Sequence, residues 1–167
     1  MRSFRAPRSL SAAALGVLGL LAASLTPAAA APPPECTAGL HIFTTSTGVE
    51  RQAGPVLIFT DSGVGGSYTS GFLAGSTISG AQHIMLNTQT NLSELNGEFV
   101  ATGPQGTLSI QYVGHADLST GMATGQFVSA GGTGAFSDFH WQGRITARLV
   151  GPATFDAVDS GPCFTTH

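Results

Sequence analysis

Histidines are the residues in this sequence best suited to metal binding or proton transfer near neutral pH, and there are five of them. His41, His83, His115 and His140 lie on four different predicted strands or strand ends, and His167 is the last residue. A metal site is usually anchored by two ligands close together in the chain, but no His-x-His or His-x-x-x-His pair occurs. We therefore expect no metal site and no cofactor.

Two glutamates share one face of a predicted strand, because Glu94 and Glu98 are an even number of residues apart. Paired carboxylates about 5–10 Å apart can hydrolyse glycosidic bonds. Asn96 lies on the same face, however, and Leu95 and Phe99 lie on the other. We therefore expect both glutamates on a solvated outer surface.

Three aspartates, Asp61, Asp117 and Asp138, lie near predicted strand ends, where the mouth of a barrel would place them. Aspartate at such positions commonly forms turns, and a general acid for a cyclisation is the alternative. No serine lies in a Gly-x-Ser-x-Gly motif, which would mark a nucleophile. The sequence therefore assigns no catalytic residue.

Cys36 and Cys163 are the two cysteines of the chain, and one lies near each end of the predicted domain. In an exported protein an even pair favours a disulfide, and the spacing lacks the Cys-x-x-Cys pattern of redox or metal pairs. Such a bridge would close a loop of nearly the whole domain, for which chain entropy predicts roughly 4–5 kcal/mol of stabilisation.

Residues 1–30 have the organisation of a secretory signal peptide. The first eight residues contain three arginines, an apolar stretch covers residues 10–25, and small residues follow up to Ala30. A membrane-spanning helix needs about 20 apolar residues, whereas this run is interrupted at Thr26 and Pro27.

We therefore expect cleavage after Ala30 and secretion to the extracellular space or the cell envelope. Residues 31–37, which contain three prolines, are expected to form an extended lead-in. Residues 38–167 are long enough for one domain with its own core and too short for two ordinary ones.

The charge of the mature chain argues against polyanionic partners. All six basic residues are arginines, and removal of the three in the signal peptide leaves three against nine acidic residues, a formal charge of −6. Nucleic acids and anionic membrane surfaces are bound by clustered Lys and Arg, so we expect neither as a partner after signal cleavage. The absence of lysine and the abundance of glycine are typical of a GC-rich bacterial genome.

Apolar residues recur with the period of a β-strand, most clearly in residues 138–149. Phe139, Trp141 and Ile145 fall on one face, and polar residues such as Arg144 and Arg148 fall on the other. This alternation predicts a sheet with one buried and one solvated face. The other predicted strands are residues 40–45, 55–60, 68–73, 76–88, 94–102, 106–113 and 122–129.

Glycine-rich segments separate these strands and predict turns at residues 62–66, 96–97, 103–106, 119–121 and 131–134. No long helical pattern provides the crossovers that a parallel sheet requires, so the sheet should be antiparallel. We predict an all-β fold, a small antiparallel eight-stranded barrel, with a β-sandwich as the alternative. Glycines inside the strands would mark the bends of a small barrel.

Residues 125–136, with the sequence GQFVSAGGTGAF, resemble the strand, Gly-Gly-Thr-Gly turn and following Phe of the allene oxide cyclase and dirigent-like barrel superfamily. The resemblance covers about twenty residues if Gly143 is included. It implies an eight-stranded barrel with an apolar lumen, whose members include cyclases and proteins that steer radical coupling. Trp141 departs from the pattern, since a small residue is expected there, and would fill part of the lumen. No catalytic residue of the family is carried over.

The aromatic residues are the strongest candidates for a binding site. If the alternation holds, the inward-facing residues include Phe99, Tyr112, Phe127, Phe139, Trp141 and Ile145. They could form an ordinary packed core or line a cavity for a small hydrophobic molecule.

The sequence leads to three hypotheses about function. We expect a secreted barrel that binds a small apolar ligand without chemistry. The alternatives are a cyclase-like or dirigent-like enzyme acting on a small hydrophobic substrate, and an interaction module with a filled barrel. The enzyme would need a buried acid or histidine beside the lumen space.

Overall fold

A computed structural model describes residues 33–166, which fold into nine strands joined almost entirely by tight turns. The strands are β1 (Glu35–Thr44), β2 (Val49–Ala53), β3 (Val56–Tyr68), β4 (Thr77–Asn87), β5 (Leu92–Gly103), β6 (Gly106–Asp117), β7 (Met122–Gly132), β8 (Phe139–Gly151) and β9 (Thr154–Thr165). A short 3-10 helix, Gly134–Phe136, lies between β7 and β8. This part of the chain contains no helix long and apolar enough to cross a membrane. The predicted signal peptide, residues 1–30, lies outside the described residues.

Eight of the nine strands close into an antiparallel barrel. Each strand from β3 to β9 pairs with the next, β9 pairs with β1, and β1 pairs with β3 to complete the ring. β2 pairs with β3 alone and is the extra strand outside the ring. The prediction of a small all-β barrel is therefore confirmed, and the alternative of a two-sheet sandwich is excluded.

The alternation predicted for residues 138–149 is confirmed in β8. Trp141 and Ala147 are buried in the lumen, and Arg144 and Arg148 are exposed on the outside. Gly143 lies on the inner face, where a Cβ would collide with the backbone oxygen of Ser160. The close approach of β8 and β9 at this point therefore requires glycine, as expected for a bend in a small barrel.

The strand predicted for residues 68–73 is wrong. β3 ends at Tyr68, and the following residues form a loop that folds over one end of the barrel. Gly71 and Gly75 have positive φ values of 78° and 83°, which reverse the chain where an extended strand would continue. Phe72 and Leu73 are therefore carried into the core by a loop.

Two predicted turns are wrong because their glycines lie inside strands. Residues 62–66 belong to β3, and Asn96 and Gly97 belong to β5. The turns predicted at 103–106 and 119–121 are confirmed. Glycine in this chain therefore has two roles, reversal at the turns and close strand contact within the barrel wall.

Two strands, β2 and β9, were not predicted. β9 alternates like β8 but carries Asp159 on its inner face, which interrupts the apolar pattern. β1 begins at Glu35, within the segment 31–37 treated as a lead-in, because its first residues pair with the end of β9.

A disulfide joins Cys36 of β1 to Cys163 of β9, as predicted, with 5.7 Å between the Cα atoms. The two residues lie close together because antiparallel pairing aligns Cys36 with Gly161 and Glu35 with Pro162. The bridge thus links the first and last strands of the barrel across 127 residues of sequence.

Loss of this bridge should lower stability without changing the fold. Replacing both Cys36 and Cys163 with serine should lower the free energy of unfolding by roughly 2–5 kcal/mol, because the unfolded chain regains loop entropy. Urea denaturation followed by tryptophan fluorescence measures the change, and reduction of the wild type provides the control. A midpoint equal to that of the oxidised wild type would contradict this expectation.

Candidate functional site

The two ends of the barrel are built differently. At one end, named here the open end, lie the hairpin turns of residues 88–91, 118–121 and 152–153. At the other, the closed end, lie the loop of residues 69–76, the turn at 104–105 and the 3-10 helix. The side chains that fill the lumen near each end determine where a ligand could enter.

The closed end is filled by an aromatic plug made of Phe72, Phe127, Phe136, Phe139 and Trp141. The Trp141 ring centroid lies 4.4 Å from that of Phe127 and 4.8 Å from that of Phe72, both in edge-on arrangements. Phe136 and Phe139 also pack edge to face, at 5.7 Å. Edge-to-face packing at these distances is favourable, so this half of the lumen is solid.

Small side chains occupy the lumen nearer the open end. Ala116 pairs with Ala123, Ala123 with Ala147, and Ala147 with Ala157, on four consecutive strands. All four residues face inward and are buried. Because an eight-stranded barrel is wide enough to need large side chains to fill it, this alanine layer leaves space.

The space is a cavity of about 390 Å³ between the alanine layer and the opposite wall. Its apolar lining includes Leu40, Ile84, Leu86, Leu95 and Phe155, and the lining reaches rim residues of the open end. None of the lining residues carries a charge. An uncharged, apolar cavity of this kind favours apolar and neutral molecules over ions.

The six predicted lumen residues divide between the two halves of the barrel. Phe99, Tyr112 and Ile145 line the cavity. Phe127, Phe139 and Trp141 pack in the aromatic plug instead, because the closing loop brings Phe72 against Phe139 and Trp141, and Trp141 packs on Phe127. Alternation identified all six as inward-facing, whereas their division between plug and cavity depends on the rings that pack beside them, including Phe72 of the closing loop.

One hydrogen bond interrupts the apolar wall. The Tyr112 hydroxyl donates to Oε1 of Gln82 at 2.8 Å, and both residues line the cavity. Burial raises the pKa of Tyr112 well above its ordinary value, so this phenol stays protonated and remains a donor.

Asp159 is the one buried ionisable carboxyl group among residues 33–166. It is fully buried on the inner face of β9, and the Tyr68 hydroxyl donates to its Oδ2 at 3.0 Å. Its Oδ1 has no hydrogen-bond partner in the described part of the chain. Burial raises the pKa of Asp159 to about 7, and the bond from Tyr68 only partly opposes this.

Asp159 lies next to the cavity without lining it. Its cross-strand partner Ile145 and its strand neighbour Ala157 both contact the space. The carboxyl group itself is fully buried and is not part of the lining.

The other candidate groups lie outside the lumen. Nδ1 of His41 and Oδ1 of Asp156 are hydrogen-bonded at 2.7 Å, and His115 hydrogen-bonds Thr124, both on the outer surface. Glu94 and Glu98 are exposed on the outer face of β5, as predicted. Within residues 33–166, no three His, Cys, Asp or Glu side chains come together as a metal site.

The three aspartates assigned to strand ends do not meet at one mouth. Asp117 lies at the open end, where its carboxylate accepts hydrogen bonds from the backbone and hydroxyl of Ser119. These bonds hold the pKa of Asp117 below its usual value and identify it as a turn residue. Asp138 precedes β8 at the closed end, and Asp61 occupies a bulge in β3 with φ of 58°.

Sequence reasoning missed Gln82, Asp159 and Tyr68. The signal for Asp159 was present, since it follows Phe155 and Ala157 at even spacing, as a charged residue on an apolar face. Gln82 and Tyr68 gave no such signal, because their partners come from other strands.

This chain matches no protein-family model and no curated protein sequence. The resemblance of residues 125–136 to the allene oxide cyclase and dirigent-like superfamily therefore stays a prediction. In that segment β7 ends at Gly132, Gly131 within the strand and Gly134 after it have positive φ, and Phe136 is buried.

Ionisation of Asp159 should make the protein less stable at high pH. Its pKa of about 7 in the folded state exceeds the value of about 3.9 in the unfolded chain. The folded state therefore binds the extra proton between these values, and stability should fall as pH rises from about 4 through 7. Asp159→Asn, which mimics the protonated acid, should be more stable than wild type at pH 8, by roughly 1–4 kcal/mol.

Urea denaturation of both proteins at pH 5 and pH 8 measures this difference. The two proteins differ only at residue 159, so contributions from all other residues cancel from the comparison. An equal pH dependence in the two proteins would show that Asp159 is ionised at pH 5 already.

Proposed function

We propose that this is an exported protein whose barrel lumen binds one small, neutral, apolar molecule without transforming it. The observation that carries the proposal is the cavity of about 390 Å³ lined by uncharged and mostly apolar side chains. Its volume lies in the range of about 300–1,000 Å³ that is typical of small-molecule sites.

The hydrophobic effect would supply the affinity. A bound apolar molecule is removed from water on nearly all sides, at roughly 25 cal/mol per Å² of apolar surface buried. The walls are held by the closed ring of strands, so little ordering is needed on binding. An interaction module with a filled barrel would not leave this space, which favours the binding hypothesis over that alternative.

A cyclase-like or dirigent-like enzyme is the second candidate, and Asp159 is the observation that favours it. An acid with a pKa of about 7 is suited to proton transfer near neutral pH. However, Asp159 is fully buried and does not line the cavity, so a ligand there would not contact its carboxyl group. We therefore rank binding above catalysis.

Export is supported by the disulfide between Cys36 and Cys163. Disulfides persist in oxidising compartments and are rare in the cytosol. Together with the signal peptide predicted for residues 1–30, this favours an extracellular or cell-envelope location.

The experiment is a fluorescence titration of the oxidised protein with N-phenyl-1-naphthylamine, a neutral apolar dye. We expect saturable binding at one site, with energy transfer from Trp141, the single tryptophan. The matched dye 8-anilinonaphthalene-1-sulfonate carries a charge on the same ring system. It should bind at least about 10-fold more weakly, because the cavity offers its sulfonate no counter-ion.

Two variants of β8 locate the site. Ala147→Phe places a large side chain in the alanine layer and should weaken dye binding at least about 10-fold, because it occupies the cavity. Thr146→Phe adds the same group on the exposed face and should leave binding unchanged. If Ala147→Phe does not fold, Ala147→Leu provides a smaller obstruction. Equal binding by both variants and wild type would contradict a lumen site.

A further inference from the structure

The hydrogen bond between Tyr112 and Gln82 places a polar spot deep in a cavity whose lining is mostly apolar. Gln82 lies on β4, and the residues that follow it on the inner face, Ile84 and Leu86, line the cavity toward the open end. Phe99, whose ring centroid lies 5.7 Å from that of Tyr112, lies on the other side, toward the closed end. A molecule entering from the open end would therefore meet this spot last.

Gly97 allows the two side chains to meet. It lies on β5 between them, paired with Gln82 on one side and with Tyr112 on the other. A Cβ at Gly97 would lie 2.8 Å from the Cβ of Gln82 and 2.6 Å from the Ala81 oxygen. Without a side chain there, Tyr112 reaches across one strand to Gln82.

The hydrogen bond between Tyr112 and Gln82 determines which groups of the Gln82 amide are available to a ligand. Because the Tyr112 hydroxyl donates to Oε1, the amide is oriented with its oxygen toward Tyr112, and the Nε2 group keeps two N–H donors. Among residues 33–166, no acceptor hydrogen-bonds this nitrogen, although Gln82 lines the cavity. An N–H donor that faces an apolar space without an acceptor costs free energy. A ligand that supplies an acceptor removes this cost, so its hydrogen bond contributes strongly to binding.

The absence of charged side chains from the cavity lining indicates that the ligand is neutral. No lining side chain is charged, so an ionised group at this depth would lose its hydration without a counter-ion. A neutral acceptor incurs a much smaller desolvation cost and can accept directly from the amide.

We propose that the ligand is an apolar molecule with one neutral carbonyl acceptor, such as a ketone, ester or lactone, which accepts a hydrogen bond from Nε2 of Gln82. This inference rests on the proposed lumen-binding function and specifies its ligand class. The carbonyl enters first, and the apolar remainder lies along Ile84, Leu86 and the alanine layer toward the open end.

The test uses two probes of nearly equal shape, 2-acetylnaphthalene and 2-ethylnaphthalene, which differ in the carbonyl. Each probe displaces N-phenyl-1-naphthylamine from wild type, from Gln82→Met and from Ile84→Met. Gln82→Met removes the amide at similar length, and Ile84→Met is the matched apolar control on the same strand face.

In Gln82→Met, the affinity for the ketone relative to the hydrocarbon should fall about 5- to 10-fold, the contribution of one hydrogen bond. In Ile84→Met the ratio should stay within about 2-fold of wild type. The carbonyl stretching frequency of wild-type-bound 2-acetylnaphthalene should also be lower than in hexane, because the oxygen accepts a hydrogen bond.

The outcomes separate the two proposals. If the dye and both probes bind but Gln82→Met changes both affinities equally, the carbonyl inference is overturned and lumen binding stands. A hexane-like carbonyl frequency in wild type overturns it as well, whether or not the variant folds. If the dye does not bind wild type, lumen binding fails and the inference fails with it.

Discussion

The width of a closed eight-stranded barrel is the constraint on which the other features depend. Once β1 pairs with β3, the lumen has a fixed diameter, and each level must be filled by inward-facing side chains or left as space. At the closed end, five aromatic rings fill it. The methyl groups of the alanine layer, Ala116, Ala123, Ala147 and Ala157, are too small to fill the lumen at their level. The cavity is therefore the consequence of side-chain size at one level of a rigid wall, and no separate binding element is required.

The barrel contains two pairs of inward-facing polar side chains, which differ in whether they contact the cavity. Gln82 and Tyr112 hydrogen-bond each other and face the cavity, where an incoming molecule can use the remaining donors. The Tyr68 hydroxyl donates to Asp159 in a buried position, where the other carboxyl oxygen has no hydrogen-bond partner within residues 33–166. The first arrangement leaves the Nε2 donors of Gln82 without a protein acceptor within residues 33–166. The second costs stability when the acid ionises, because burial removes the carboxylate from water and favours the neutral form.

The sequence alone predicts the fold class better than it predicts the site. Alternation in residues 138–149 identifies β8 and its inner face, since a strand presents every second residue to one side. It does not reveal which residues of different strands lie at the same level, because register is a property of strand pairs. Phe127 is even the cross-strand partner of Tyr112, and it is the packing of Trp141 against Phe127 and against Phe72 of the closing loop that assigns Phe127 to the plug. The turns predicted at residues 62–66 and 96–97 failed for a related reason. Their glycines lie inside strands, where neighbouring chains approach closely, and the sequence does not distinguish such glycines from those of turns.

The most direct test of this account is a crystal structure of the oxidised protein under xenon pressure, because xenon occupies apolar cavities large enough to hold it. The account predicts anomalous density for xenon in the lumen, enclosed by the alanine layer, Phe99 and Ile145, and none among the rings of the aromatic plug. Absence of xenon from the lumen, with inward side chains filling the space beside Ala147, would contradict the existence of the cavity.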